Sequence, residues 1–229
     1  MRKILIILAV LLILLVVADR IAVHVAQRKI AGRVASAYHL AVPPSVTIPG
    51  FPFLTQVAAG RYNEVDVALS SLTSGGVHVQ DLRARFTGVR APLVRLLGNG
   101  SASVTADNAT ATALIPFASV QRRLPPGITL GADRGTLKLS GKVGYQGFHV
   151  PVSAAVSLRV TATAIEVSPH NVTVGGTIAL PPGPLGSRLA ITLPVHDLPM
   201  HLKVTSVRVT SGGFEVSASA RGVEFENSG

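Results

Sequence analysis

Residues 101–113 read SASVTADNATATA and residues 153–164 read SAAVSLRVTATA. Both alternate small or β-branched residues with polar ones at period two, the pattern of an extended strand. Their texture decides the fold. A sheet core is ordinarily filled by Leu, Ile and Phe, whereas Ala, Ser and Thr leave volume between the sheet and whatever faces it. Either a helix lies close against such a face or a groove remains there.

Working outward, the period-two pattern recurs along most of the chain. Val65, Val67 and Leu69 alternate with Glu64 and Asp66. Val77 and Val79 sit on odd positions, but Leu82, Ala84 and Phe86 sit on even ones, so the parity changes near Asp81. Such a change predicts a bulge or bend. Further strands are expected at residues 101–106, 136–145, 150–165, 171–178, 203–210 and 214–221. Gly75-Gly76, Gly175-Gly176 and Gly212-Gly213 serve as turn signals. Short helices are expected at residues 91–97 (APLVRLL) and 115–124 (IPFASVQRRL), the second stopped by Pro125-Pro126.

Residues 19–40, DRIAVHVAQRKIAGRVASAYHL, carry a helical rhythm instead. Ile21, Val25, Ile30, Val34 and Tyr38 lie near 3.6-residue spacing, between Arg20, His24, Arg28 and Arg33. Pro43-Pro44 is the expected stop. One long amphipathic helix and one large antiparallel sheet predict an α+β fold, with the helix cradled by a curved sheet.

Before this helix, Arg2 and Lys3 precede ILIILAVLLILLVVA, fifteen uncharged apolar residues from Ile4 to Ala18. A basic start and an apolar run form an export signal or a membrane anchor. The run is short for a span of about 20 residues, and Val16 and Ala18 are small enough to precede a cleavage site. The expected division is a signal or anchor over residues 1–18 and one extracytoplasmic domain over residues 19–229. There is no Cys, so neither a lipid-modified cysteine nor a disulfide is available.

The net charge of +10 and a pI of about 11.1 would suit nucleic acid. The basic residues are dispersed, however, and 16 of the 21 are Arg, with no basic helix or aromatic-studded basic strand. With export, anionic headgroups at a membrane surface are the better-suited polyanions, and nucleic acid is not expected as a partner. The bland alternative is a composition set by genomic base bias.

The stretch Thr47–Gln56, TIPGFPFLTQ, places two of the seven phenylalanines between two prolines and a glycine. Phe51 and Phe53 therefore project from a rigid, non-helical corner. Two roles suit them: a wedge in the core, or a lip on an apolar cavity.

Catalytic patterns are scarce. No GxSxG, HExxH or P-loop occurs, and the eleven acidic residues form no close pair in an apolar stretch. His196, Asp197 and His201 in VHDLPMH could ligate a metal or join a hydrolytic site, yet Pro199 prevents a helix from aligning them. The reading is therefore no catalytic set, no metal and no cofactor. Asn99, Asn108 and Asn171 fit the glycosylation pattern, which a chain this rich in Ser and Thr produces by chance.

What remains is binding. Arg83, Arg85, Arg90 and Arg95 fall within thirteen residues that hold no acid, beside Phe86, Leu93, Leu96 and Leu97, while Arg122 and Arg123 follow Phe117. An apolar interior edged by guanidinium groups suits an amphiphile with an anionic head, because Arg bonds phosphate bidentately. On this reading Phe51, Phe53, Leu54, Phe86, Leu93, Leu96, Leu97 and Phe117 contact acyl chains. Arg83, Arg85, Arg90, Arg95, Arg122 and Arg123 then face the headgroup. Ordinary solvated arginines on a filled core, as in an anchored scaffold protein, are the alternative.

The order of features resembles the LmeA-like family of actinobacterial envelope proteins. The residues that carry the likeness are VTIPGFPFLTQ (46–56), GRYNEVDV (60–67) and LPMHLKVTSVRVTSGGFEVSASARGV (198–223). The resemblance implies a fold like one half of the tubular lipid-binding proteins, including the bactericidal/permeability-increasing proteins, with a strongly curved sheet around a long helix. It also implies phospholipid or glycolipid binding and, from mycobacterial relatives, a part in lipomannan maturation. It supplies no catalytic residue.

Overall fold

The computed structural model describes residues 2–74, 77–92, 103–122, 124, 126–133, 136–145, 148–161, 164–174, 178–180, 191–194, 200 and 202–225. The chain is α+β, a long N-terminal helix followed by antiparallel strands. It divides into two compact units. The first holds Met1–Ser70, Arg83–Ala111 and Ala220–Gly229, and the second holds Ser71–Leu82 and Thr112–Ser219.

Helix α1 runs unbroken from Arg2 to Ala37, so the apolar run and the amphipathic segment are one element. Residues 4–18 are exposed all round, and the helix is long and apolar enough to cross a membrane. It ends before Pro43-Pro44, contrary to expectation, through a local reversal. His39 takes φ 51°, and the Leu40 N–H reaches back to the Ala35 carbonyl at 2.8 Å. A left-handed residue with a bond spanning five positions satisfies a terminal carbonyl without any proline. The buried face also differs from the expected one. Asp19, Val23 and Ala26 are buried, with Ile30 and Val34 partly so, while Ile21, Val25 and Tyr38 face outward. Small Ala26 and a bonded Asp19 permit close approach to the elements packed on this face.

Those elements are β1 (Ser45–Thr47) and α2 (Phe53–Ala59), both in contact with α1. Strand β1 pairs antiparallel with β2 (Arg61–Ser74), Val46 opposite Val67. Then follow β3 (Val77–Arg90) and β4 (Val104–Pro116). The expected parity change in β3 is present: Val79 is half-buried, exposed Asp81 has φ 48°, and Leu82, Ala84 and Phe86 then turn inward. Gly88, at φ 63°, shifts the parity again so that Val89 is buried. Each left-handed residue inserts one position and re-aims the strand. In β4 the buried residues are Ala106 and Ala109, with Asp107 and Asn108 both exposed between them.

The β4 strand extends ten residues past its expected end, to Pro116, and the expected helix over 115–124 shrinks to α3 (Phe117–Gln121). Pro116 holds φ −60° and ψ 146°, and a residue preceding proline is disfavoured in the α region, so Ile115 stays in the strand. The remaining strands are β5 (Ile128–Asp133), β6 (Thr136–Tyr145), β7 (Phe148–Val160), β8 (Ala164–Val174), β9 (Ile178–Leu180), β10 (Ile191–Pro194), β11 (Lys203–Val209) and β12 (Gly213–Phe225). Residues 150–165, expected as one strand, instead contribute to an antiparallel pair, β7 and β8, in which Val160 faces Ile165. Among the described residues the strands order as β1-β2-β3-β4-β12-β11 and β10-β8-β7-β6-β5, with β9 on β8.

The second unit has a continuous core of Val120, Ile128, Leu137, Leu139, Val152, Ala154, Val156, Val167, Val172 and Phe214. On β7 the buried residues keep even parity, whereas on β8 they pass from Val167 to Val172. The register slips there between Ser153 and Ala155, and Asn171 lies at φ 51°. Burial of each Leu or Val stabilises by about 1.5–3 kcal/mol relative to exposure.

Candidate functional site

The corner at residues 47–60 is built by its own side chains. Gly50 lies at φ 106°, and Gln56 crosses beneath it, its Nε2 donating to the Pro49 carbonyl at 3.3 Å while its Oε1 accepts the Asn63 N–H at 3.4 Å. The Thr55 hydroxyl donates to the Pro52 carbonyl at 2.7 Å, and the Phe51–Pro52 peptide is cis. Gly60, left-handed at φ 63°, closes α2 by donating to the Val57 carbonyl at 3.1 Å.

The N-terminus of α2 has no cap of its own, because Pro52 offers no side-chain acceptor. The cap comes from α1. Oδ1 of Asp19 accepts the Leu54 N–H at 2.8 Å, and its Oδ2 is bound by the Arg20 guanidinium. A buried carboxylate is thereby supplied with two charge-assisted partners. The Arg20 guanidinium also lies 5.1 Å from the centre of the Phe51 ring, within cation–π range.

The two phenylalanines of this corner separate. Phe53 is 2% exposed and packs on Tyr62, ring centres 6.2 Å apart, which is the wedge role. Phe51 is 61% exposed and Leu54 37%. The Tyr62 hydroxyl is buried without a hydrogen-bond partner among the described residues, and burial pushes its pKa up to about 12.

Elsewhere in the first unit Phe86 is buried edge-on against Phe225 at 5.3 Å. Arg83 and Arg85 share the exposed side of β3, but Arg85 is already engaged. Its Nε lies 2.8 Å from Asp66 and 3.4 Å from Glu64, and the Asp66 hydrogen bond, with both carboxylate charges, raises its pKa. Arg90 pairs with Asp107 at 3.0 Å. In the second unit Phe117 is half-buried edge-on against Phe214 at 5.2 Å, and Arg122 is exposed. Leu93, Arg95, Leu96, Leu97 and Arg123 lie outside the described residues, as do His196, Asp197 and His201. The structure thus brings Phe51, Phe53 and Leu54 together and places Phe86 and Phe117 in separate aromatic pairs. Among the described residues no group of three or more His, Asp or Glu could hold a metal ion.

Two residues of this corner are not singled out by the sequence. Asp19 reads as the charged end of the apolar run, and Tyr62 is marked only as part of the block at 60–67. Only the proline at the start of α2, which leaves its first N–H groups unserved, signals that a distant acceptor is needed.

A family model described as LmeA-like phospholipid-binding matches residues 17–219. The chain belongs to that family. The LmeA-like match contains the corner at 47–60, Asp19 and every residue named above for lipid or headgroup contact. No curated protein and no solved structure matches the chain.

Proposed function

We propose that the protein binds a phospholipid or a related anionic glycolipid on the outer side of the membrane that its N-terminal segment enters. In this reading it serves envelope lipid transport or the maturation of lipomannan-type glycolipid. The observation that carries it is the LmeA-like phospholipid-binding match over residues 17–219. Residues 1–18 are the signal or anchor and residues 19–229 the exported part. The protein acts as a binder and not as a catalyst.

Acyl burial supplies the affinity, about 0.8 kcal/mol for each CH₂ removed from water. Exposed Phe51 and Leu54 and the apolar segment at Leu93, Leu96 and Leu97 are the proposed acyl contacts of the first unit, and half-buried Phe117 is a separate candidate in the second. Phe53 and Phe86 act as supports from the core. For the headgroup, Arg83 and Arg122 are better suited than Arg85 and Arg90, whose guanidinium groups already hold carboxylates. Arg95 joins Arg83 as a headgroup candidate of the first unit, and Arg123 joins Arg122 as one of the second.

The test is native mass spectrometry of the full chain after detergent exchange, with uptake of labelled phospholipid from liposomes. One retained lipid per chain and saturable uptake are expected. Chain without lipid, combined with no uptake, would sink the reading.

A further inference from the structure

The fifteen apolar residues Ile4–Ala18, at about 1.5 Å rise each, extend about 22 Å against a hydrocarbon core of about 30 Å. A span that short draws its flanking residues toward the bilayer, and about five more helical positions are needed to fill it. On the N-terminal side the run is bounded by the charged pair Arg2 and Lys3. On the other side α1 continues without a break through Asp19, Arg20, Ile21 and Ala22. Whatever is fixed to these residues is carried to the same depth.

The corner at 49–54 is fixed to them. Leu54 N–H is bound to Asp19 at 2.8 Å, and the Phe51 ring rests on Arg20. At this level the surface offers Phe51 at 61% exposure, Ile21 at 59% and Leu54 at 37%, beside one Arg. Exposed apolar side chains with an aromatic and a long cationic stem suit the bilayer–water boundary. An acidic group at that depth would be costly unless paired, and Asp19 is both buried and bonded, to Arg20 and to the Leu54 N–H.

The geometry points to a membrane-docking surface made of Arg20, Phe51 and Leu54, with Ile21 at the same level on the other side of α1, which enters the headgroup layer of the bilayer that α1 crosses. The short span pulls the corner down, and the Asp19–Leu54 bond makes the first unit follow it. This inference rests on α1 staying in the membrane and needs no internal lipid site.

The chain has no Trp, so one introduced Trp reports alone. Phe51→Trp and Tyr38→Trp are made in the full chain and reconstituted in phosphatidylcholine–phosphatidylglycerol vesicles that contain acyl-brominated lipid. Tyr38 is 55% exposed and lies eighteen positions beyond Arg20, about 27 Å along the helix. The expected result is blue-shifted emission at position 51, lost as the bromine is moved toward the headgroup end. Tyr38→Trp stays unshifted and unquenched, and the extracted chain keeps the mass of residues 1–18. Leu54→Trp repeats the reading if Phe51→Trp disturbs the corner. Emission at 51 and 54 as water-like and unquenched as at 38, or a mature chain without residues 1–18, overturns the inference. Labelled lipid retained without quenching at 51 fails this inference and the placing of Phe51 at a bound acyl chain, and leaves lipid binding itself standing. Quenching without lipid retention fails the functional reading alone.

Discussion

Asp19 on α1 accepts the backbone N–H of Leu54 on α2 at 2.8 Å, across 35 residues of sequence. A helix of seven residues has too few internal bonds to stand alone, so its first N–H groups need a partner. Asp19→Ala leaves the Leu54 N–H unserved and Arg20 without its carboxylate. The unfolding midpoint of the full chain in denaturant falls, and Asp19→Asn, which keeps an acceptor oxygen, falls less. Equal midpoints for Asp19→Ala and the parent would show that α2 needs no cap.

Phe53 and Phe51 should answer differently to the same truncation. Phe53→Ala opens a cavity against Tyr62 and costs about 3–5 kcal/mol. Phe51→Ala removes a ring that is 61% exposed and changes folding stability by no more than about 0.5 kcal/mol. Urea titration of both variants decides this, and a comparable loss in the two would place Phe51 in the core.

Tyr62 makes stability depend on alkaline pH. Its folded pKa is raised to about 12 from an ordinary 10.0 by burial. The native state therefore holds the phenolic proton where the unfolded state has released it. Its contribution is complete below pH 10 and is lost as pH rises toward 12. Tyr62→Phe removes this decline and also removes a buried hydroxyl that has no partner among the described residues. Denaturation midpoints at a series of pH values from 8 to 11 test it, and an unchanged alkaline slope in Tyr62→Phe would refute the assignment.

Gly88 occupies φ 63°, and a Cβ there would press on the carboxylate of Asp107, which holds Arg90 at 3.0 Å. Gly88→Ala should cost about 1–3 kcal/mol from left-handed strain and crowding. Gly131→Ala, in open space on β5, serves as the control and stays near the parent in a thermal melt.

The legible parts of the fold were those written in local periodicity. The parity change at Asp81 is one, since a shift from odd to even positions admits few explanations other than an inserted residue. The limits of β6 were equally readable. The β7–β8 pairing was not, because residues 160–165, VTATAI, contain no Gly, Pro or Asn to mark a turn. Asn171 was read as a strand start, although it is the inserted left-handed residue that moves burial from Val167 to Val172. At the candidate site the turn at Pro49, Gly50 and Pro52 was legible, but the stretch reads as non-helical and the helix that begins at Phe53 was not, because seven residues are too few to show a helical period. The opposite fates of Phe51 and Phe53 were not, since two positions of the same type differ only in what lies beside them.

By itself the sequence determined an apolar N-terminal run, a following helix, a largely antiparallel strand set rich in small residues, and membership of a phospholipid-binding family. These follow from composition, spacing and motif, all of which are local along the chain. The tertiary structure decided which face of α1 is buried, that Asp19 serves α2, that Arg85 and Arg90 hold carboxylates, and that Phe53 is core while Phe51 faces outward. The cap and the ion pairs depend on partners 17 to 35 residues away, and Phe53 packs on Tyr62 nine residues away. Periodicity shows that a side chain faces some surface, whereas burial and hydrogen bonding depend on which element covers it.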